Sequence, residues 1–557
     1  QARGPNVVVI LTDDQGWGDV GVHGNEAIET PFLDRFAKAG VGFDRFYTSP
    51  VCSPTRASLM TGRYFYRTGV LHTSRGGAKM SGDETTLAEA LNSVGYRTGI
   101  FGKWHLGDVY PMRPIDQGFE VSLVHKAGGI GQTPDRDNAY MNPLLWRQGV
   151  PERGEGYCTD VFFNEAIGFI QQSGNQPFFL YLALNAPHTP LEVPEPWVEP
   201  FRRKGLDETT SRVYAMIANV DENFGRLLAT LDRLGIREDT VVLFLGDNGP
   251  QQARFNGGLR GRKSSVYEGG VRSLCFLQWK AKGFMGLRVS HRVADIDVFP
   301  SLIEAAGLEA EAFAVDGLSL WPLLSERPGA HQARSLFVQC HRGLNPTRYQ
   351  NAAVIGPRWK LVLNEGSFAK ETFRLPDSDT GKVELFELGN DPGEKSDRAG
   401  GRPEVVARLL GQYQAWFDSV EASRNFVPGE MVVGSDAENP LRLCRYQDGQ
   451  FVDGTSQGWP VQVARAGWYE VTVLGRRQSD PAGHLIVSWQ DRSRWRWIGQ
   501  AETSARFWFP EGKGLLDIWV QDDGVGRIRP GDNSETGDVL IERIGLPVGR
   551  WGDLVDG

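Results

Sequence analysis

Long hydrophobic runs are missing from this sequence. No apolar stretch in its 557 residues approaches the roughly 18 that a membrane-crossing helix needs, so none is expected. Cysteine is scarce too. Cys52, Cys158, Cys275, Cys340 and Cys444 are odd in number and widely spaced, which does not suit a disulfide framework. At most two bridges could form, and one thiol would be left over. An excess of positive charge is also lacking. The formal net charge is -9 and the pI about 5.6, which argues against broad attraction to nucleic acid or to an anionic membrane. A local basic pocket for a small anion is still compatible with an acidic body. There is no fixed-period repeat, no low-complexity tract, and no His/Cys cluster of the kind that holds zinc. The chain begins at Gln1 without methionine and its first strand arrives by Val7. A removed export signal, and with it a secreted or periplasmic location, is the expectation.

What is present is ordinary globular composition, 40% hydrophobic and 23% charged, with 68 glycines that predict many turns and long loops. At about 100–200 residues per domain, the length predicts two to four units. Val7–Leu11, Phe178–Leu184 and Val241–Leu245 are short, continuous apolar runs rich in β-branched or aromatic residues, as strands buried on both faces are. Helical patterns over Thr85–Val94, Thr159–Gln172 and Val213–Leu234 lie between them. This alternation predicts an α/β fold with a mainly parallel central sheet and helices on both faces. After about residue 340, Trp359–Leu363 and Val383–Leu388 read as antiparallel strands, Asn390-Asp391-Pro392-Gly393 as a turn, and Pro403–Val420 as an amphipathic helix. Trp468–Leu474, His484–Trp489 and Leu515–Val520 alternate like strands of a sandwich. The expected division is an α/β catalytic domain over 1–340, a smaller antiparallel α+β subdomain over 341–425, and an extra all-β domain, a sandwich, over 426–557.

In open parallel sheets, ligands bind beyond the carboxyl ends of strands. Here those ends carry Asp13-Asp14, Asn185-Ala186-Pro187-His188 and Asp247-Asn248, and a weaker strand, Arg97–Phe101, ends in Gly102-Lys103-Trp104-His105. Asp13, Asp14, Asp247 and Asn248 offer only oxygen, which suits a hard cation such as Ca²⁺ or Mg²⁺. Taken singly, either pair also reads as a turn or cap; taken together, they favour the cation.

Cys52-Ser53-Pro54-Thr55-Arg56 reads as a helix start, with Pro54 in the first turn and Arg56 on the same side as Cys52 four residues on. A helix N-terminus and a guanidinium both favour negative charge at the thiol, which describes a thiolate beside an anion-binding arginine. A buried structural cysteine is the other reading. The segment, continued by Ala57-Ser58-Leu59-Met60-Thr61-Gly62-Arg63, resembles the signature of the formylglycine-dependent sulfatases, arylsulfatase-like members of the alkaline phosphatase superfamily. The resemblance extends to Leu11–Gly18, Gly102–Gly107, Ala186-Pro187-His188, Gly246–Gly249 and Leu259–Gly270, about the first 420 residues in all.

The resemblance implies that Cys52 is oxidised to formylglycine by a formylglycine-generating enzyme or its equivalent. It implies that Asp13, Asp14, Asp247 and Asn248 hold Ca²⁺ (Mg²⁺ being the alternative) with modified Cys52 as a further ligand. One hydroxyl of the hydrated aldehyde would attack sulfur, and loss of the second proton would expel sulfate. Arg56 and Lys103 would neutralise sulfate oxygens, His105 would act as the base, and His188 and Lys263 would flank the leaving oxygen, one of them as general acid. Arg262, beside Lys263, departs from the small residues common there; it either grips a second anionic group or faces solvent. His341 and Arg342 have no clear counterpart and read as a plain loop more readily than as cleft lining.

Gly128–Pro134 and Glu155–Asp160 are similar to segments of carbohydrate-directed sulfatases, so a sulfated polysaccharide or oligosaccharide is the expected substrate. Trp459, Trp468, Trp489, Trp495 and Trp497 in the last domain suit either sugar stacking or core packing. Two other readings stand beside this one. A phosphonate monoester or phosphodiester hydrolase would use a similar cradle, and a silent carbohydrate-binding relative would keep the fold. Oligomeric state is not readable from the sequence.

Overall fold

The computed structural model describes residues 4–325, 329–341, 344–364, 383–452, 455–474, 482–490, 492–498, 502–522, 526–528 and 538–544. The chain divides into two compact units, one of Gln1–Thr73, Gly77–Asp108 and Arg113–Gly429, the other of Ser74–Gly76, Val109–Met112 and Glu430–Gly557.

The first unit is built on an 11-stranded sheet. At its centre Thr240–Gly246, Asn6–Thr12, Phe178–Ala183, Arg97–Lys103 and Val121–His125 lie side by side in that order, all parallel. Every residue of the first three is buried, as their continuous apolar sequence requires. Successive side chains alternate faces. Val7, Val9 and Leu11 therefore join one core with the Leu87–Asn92 helix, while Val8 and Ile10 join another with the helices Cys158–Ser173 and Glu208–Arg233. Thr86 starts the Leu87–Asn92 helix with a capping box closed by Glu89.

The sheet is mixed toward its edges. Cys275–Gln278 runs antiparallel to Thr240–Gly246, and Leu144–Arg147 with Val150–Arg153 forms a hairpin at the far side. A parallel neighbour needs a long crossover, commonly a full helix. The link from Gly246 to Cys275 instead holds only the four-residue helix Glu268–Val271 and a two-residue strand, so the chain turns back on itself. A separate antiparallel sheet orders Leu336–Gln339, Ala352–Ile355, Trp359–Leu363 and Val383–Glu387, and the Pro403–Arg424 helix buries Tyr413, Trp416, Phe417 and Val420 in the same core as that sheet's Ala352 and Leu361.

In the second unit two sheets share a core that includes Trp459, Tyr469, Leu485, Val487, Phe507 and Ile541. One of them orders Met431–Val433, Thr455–Val463, Gly512–Asp522, Gly483–Trp489 and Arg492–Ile498, which leaves Arg492–Ile498 at the edge.

His23, in the first unit, stacks on Trp17 with ring centroids 4.1 Å apart, and its Nδ1 donates to the Trp17 carbonyl at 2.6 Å. Burial pushes its pKa down to about 4, against the pull of that hydrogen bond. The folded ring stays neutral where an unfolded one takes up a proton below pH 6.5, so stability falls as pH drops from 6.5 toward 4. Between pH 7 and 4.5 this single group accounts for about 2–3 kcal/mol. Denaturant melts at those two pH values should show a loss smaller by about that amount in His23→Asn than in wild type; equal losses would refute the assignment.

Candidate active site

The parallel strands deliver their ends to one cluster. Asp14 follows the Asn6–Thr12 strand with φ of 64°, a left-handed turn in which consecutive carboxylates are released from opposite faces of a strand. Its N–H donates to Asp247 Oδ1 at 3.1 Å, joining two neighbouring strand ends. Lys103 closes its own strand and donates to Asp13 Oδ2 at 2.5 Å. Lys263 approaches both Asp14 oxygens, at 2.6 and 2.9 Å. Asn248 Nδ2 donates to Asp14 Oδ1 at 2.8 Å, and His188 Nε2 lies 3.8 Å from Asp14 Oδ2.

Cys52 is the first residue of the helix Cys52–Thr61, all ten residues of which are buried. Its sulfur and one oxygen each of Asp13 and Asp247 lie within 4.8 Å of one another. Arg56, fully buried, donates from Nη1 to the Lys103 carbonyl at 2.8 Å and from Nη2 to Asp247 Oδ2 at 3.0 Å. The hydroxyls in between also hold the site. Ser53 Oγ donates to the His105 carbonyl at 2.8 Å, and Thr55 Oγ1 to the Asp247 carbonyl at 2.8 Å. The segment thus ties two strand ends together, those after Arg97–Lys103 and Thr240–Gly246, and neither Ser53 nor Thr55 was a sequence candidate.

Three carboxylates, Asp13, Asp14 and Asp247, face three cations, Arg56, Lys103 and Lys263. Burial alone would raise Asp13, but Lys103, His188, Arg56 and Lys263 together hold it well below the carboxylate range. Burial and the Asp13 charge push Asp247 up. Burial opposes a charge on Lys263, yet Asp14 and its other anionic neighbours raise it, so it stays protonated. For Cys52 burial wins over the pull of Lys103 and Lys263 and raises the thiol. The neighbouring cations do favour negative charge at the thiol, but desolvation is larger. A thiolate is not the resting form.

Carbonyl oxygens can only accept, so they assign the histidine tautomers. His105 donates from Nε2 to the Thr73 carbonyl at 2.8 Å, leaving Nδ1 bare, buried and without a partner among the described residues. His188 donates from Nδ1 to the Thr189 carbonyl at 2.6 Å, leaving Nε2 bare. Burial, reinforced by Lys103 for His105 and by Lys263 for His188, holds both rings neutral.

The structure adds another histidine. His125 ends its strand directly beside Lys103 in register, donates from Nδ1 to the Lys126 carbonyl at 2.9 Å, and keeps a buried Nε2 with no described partner. Burial pushes its pKa down to about 3. Just beyond it, a Cβ on Gly128 would stand 2.6 Å from His105 Cε1, and one on Gly129 would stand 3.1 Å from His188 Cε1. This bare stretch of backbone therefore lies against both imidazoles.

Not every candidate joins the cluster. Arg262 is half-buried next to Lys263, and its side chain pairs with none of the described residues. His341 is buried against Tyr66, whose hydroxyl lies 2.9 Å from its Nδ1, and Arg342 falls outside the described residues.

Fold and site together define an α/β enzyme equipped to handle an anionic ester. The chain belongs to the sulfatase family, whose family model matches residues 5–308, and is a sulfuric ester hydrolase of the alkaline phosphatase superfamily. It is similar to N-acetylgalactosamine-6-sulfatase of Canis lupus familiaris, at 34% identity over 434 residues, covering 70% of this chain and 81% of that protein. Human (Homo sapiens) arylsulfatase A is 31% identical over 499 residues, covering 80% of this chain and 93% of that one. Among solved structures, Ps i-CgsB in complex with k-i-k-neocarrahexaose superposes with a TM-score of 0.66 at 28% identity, covering 74% of this chain and 93% of that one.

Proposed function

We propose that the protein removes sulfate from a sulfated polysaccharide or oligosaccharide, with formylglycine derived from Cys52 and a Ca²⁺ ion held by Asp13, Asp14, Asp247 and Asn248. One observation carries the reading. Asp13 Oδ1 and Asn248 Oδ1 are buried acceptors with no described hydrogen-bond donor, beside the Asp14 and Asp247 carboxylates, with the Cys52 sulfur and His188 Nε2 at the border of the cluster. Orphaned buried acceptors are costly, and a hard cation satisfies them. Mg²⁺ is the alternative ion. The carbohydrate class is supported by the sugar-directed names of the relatives and by the neocarrahexaose bound to the similar structure.

When bound, the cation supplies Lewis acidity, and the hydrated aldehyde at position 52 supplies the attacking hydroxyl and a second one whose deprotonation expels sulfate. The chain's own residues do the rest. Arg56 and Lys103 neutralise the sulfate oxygens in a dry site, where such contacts count most. His105 takes a proton at its bare Nδ1. His188 and Lys263 flank the leaving-group side, and in the free enzyme the dissociable proton sits on Lys263. Maturation requires an enzyme that converts the cysteine.

The test is turnover on one aryl series of sulfate esters, phosphodiesters and phosphonate monoesters, before and after chelation and on Ca²⁺ readdition. Sulfate preference that is lost with the ion and restored by it is the expected result. Preference for the phosphodiester or phosphonate sinks the sulfatase assignment, and metal-independent turnover sinks the metal. No turnover by fully converted protein that still binds sugar would make it a silent relative. A second prediction concerns positioning. Gly128→Ala forces its new methyl against the buried His105 ring, which must shift, so kcat should fall about 10²-fold with KM nearly unchanged, at a cost of about 1–3 kcal/mol in stability from overpacking. An unaltered kcat would remove His105 from the mechanism.

A further inference from the structure

The four oxygen ligands proposed for the cation come in two pairs, each at the end of a strand. Asn6–Thr12 and Thr240–Gly246 are neighbours, with Thr12 level with Gly246. Asp13-Asp14 follow the first and Asp247-Asn248 the second, and beyond them the two loops stay in contact. A Cβ on Gly16 would stand 2.8 Å from Pro250 Cδ, and the Gly18 N–H donates to Asn256 Oδ1 at 3.2 Å. Between these contacts lies a buried ion pair that the reaction does not use. Arg254 donates from Nε to Asp19 Oδ1 at 2.8 Å and from Nη2 to Asp19 Oδ2 at 2.6 Å, a two-pronged contact whose side chains are 1% and 0% exposed.

Each partner of the pair also reaches back toward the ligands. Asp19 Oδ2 accepts from the Gly16 N–H at 2.7 Å. Arg254 Nη2 donates to the Asp14 carbonyl at 2.9 Å, while its Nη1 is engaged with Gln252. Asp14 requires this support. Its φ of 64° is a conformation that favours glycine, and a residue with a side chain keeps it only where the surroundings fix it. Here the opposite loop holds Asp14 at both peptide groups. Asp247 accepts its N–H at 3.1 Å, and Arg254 binds its carbonyl.

A buried ion pair is a weak source of net stability, because desolvation offsets the attraction. What a guanidinium fork does supply is a fixed distance and angle between two backbones. We infer that Asp19 and Arg254 are positioning residues for the cation. They lock the loop of Asp13 and Asp14 against the loop of Asp247 and Asn248, so that four ligands meet one ion without rearrangement. The pair acts through Asp14 and reduces the ordering that binding would otherwise impose on that turn. This rests on the metal reading proposed above.

The test is calorimetric titration of CaCl₂, and in parallel of MgCl₂, into the chelator-stripped full chain at one degree of conversion of position 52. Arg254→Lys keeps the charge and loses the planar fork. Asp19→Asn/Arg254→Gln leaves no charge stranded. Both should bind the ion about 10–100-fold more weakly than wild type. The Ca²⁺ concentration that gives half-maximal aryl sulfate turnover should move by the same factor, with turnover regained as Ca²⁺ is raised. A lower melting temperature with an unchanged Kd in either variant would mark a merely structural pair; it overturns the inference and leaves the metal reading standing. Lost turnover that no Ca²⁺ concentration relieves, in a variant that binds the ion as wild type does, overturns it equally. Wild type that binds neither ion overturns the metal reading and this device with it.

Discussion

Cys52→Ala is expected to lower sulfate-ester turnover by at least about 10⁴-fold while changing stability by no more than about 1 kcal/mol. The side chain is buried at the first helical position and its thiol is held protonated by its surroundings, so cysteine as encoded is a poor nucleophile. Activity should therefore follow the fraction of chains converted at position 52, measured by mass spectrometry of that peptide. Cys52→Ser should be as inactive as alanine, since a serine has one hydroxyl and cannot expel sulfate from its own ester by losing a second proton. Substantial turnover by unconverted protein or by either variant would overturn the mechanism. The stability half of the prediction matters as much, because it separates lost chemistry from lost folding.

Arg56→Ala should do both kinds of damage. Its guanidinium is fully buried between the Lys103 carbonyl and Asp247, with Asp13 3.9 Å away. Removing it strands a buried carboxylate, a change that costs roughly 3–5 kcal/mol. Turnover should fall at least about 10³-fold as well, because the sulfate loses a preorganised donor. Arg56→Lys restores charge without the fork, and is expected to recover part of the stability and little of the activity. Arg56→Ala/Asp247→Asn provides a control. Removing the stranded charge should recover about 1–3 kcal/mol, since the two side chains are in contact, while activity stays lost. Denaturant melts and aryl sulfate kinetics on the same preparations decide the matter; a double variant no more stable than Arg56→Ala would refute the pairing argument.

The strands that carry the site could be read because both their faces are buried. Burial on two sides leaves an unbroken apolar run, and the polar residues that end such runs at Asp13, His188 and Asp247 stand out against it. Lys103 was less legible from its strand, where Arg97–Lys103 is no unbroken apolar run, than from the Gly102–Gly107 motif that contains it. His125 was not legible: Val121–His125 is short and its histidine means little until register sets it beside Lys103. Ser53 and Thr55 act through bonds to residues 52 and 192 positions away, a separation that local pattern cannot express. The antiparallel Cys275–Gln278 strand was missed because three apolar residues and a glutamine carry no mark of direction. The sequence left Cys52 open between a thiolate and a buried thiol for an energetic reason, since a motif displays its charges but not the water it has lost.

All five cysteines are buried, and none is joined in a disulfide. The fold therefore owes nothing to oxidation, and reductant should leave it intact. There is also an analytical consequence. A native sample should hide its thiols from a reagent, whereas a denatured one should expose five if position 52 is still cysteine and four if it has become an aldehyde. The chain thus carries an internal gauge of its own maturation, in which four silent sulfurs serve as the reference for the one that is spent.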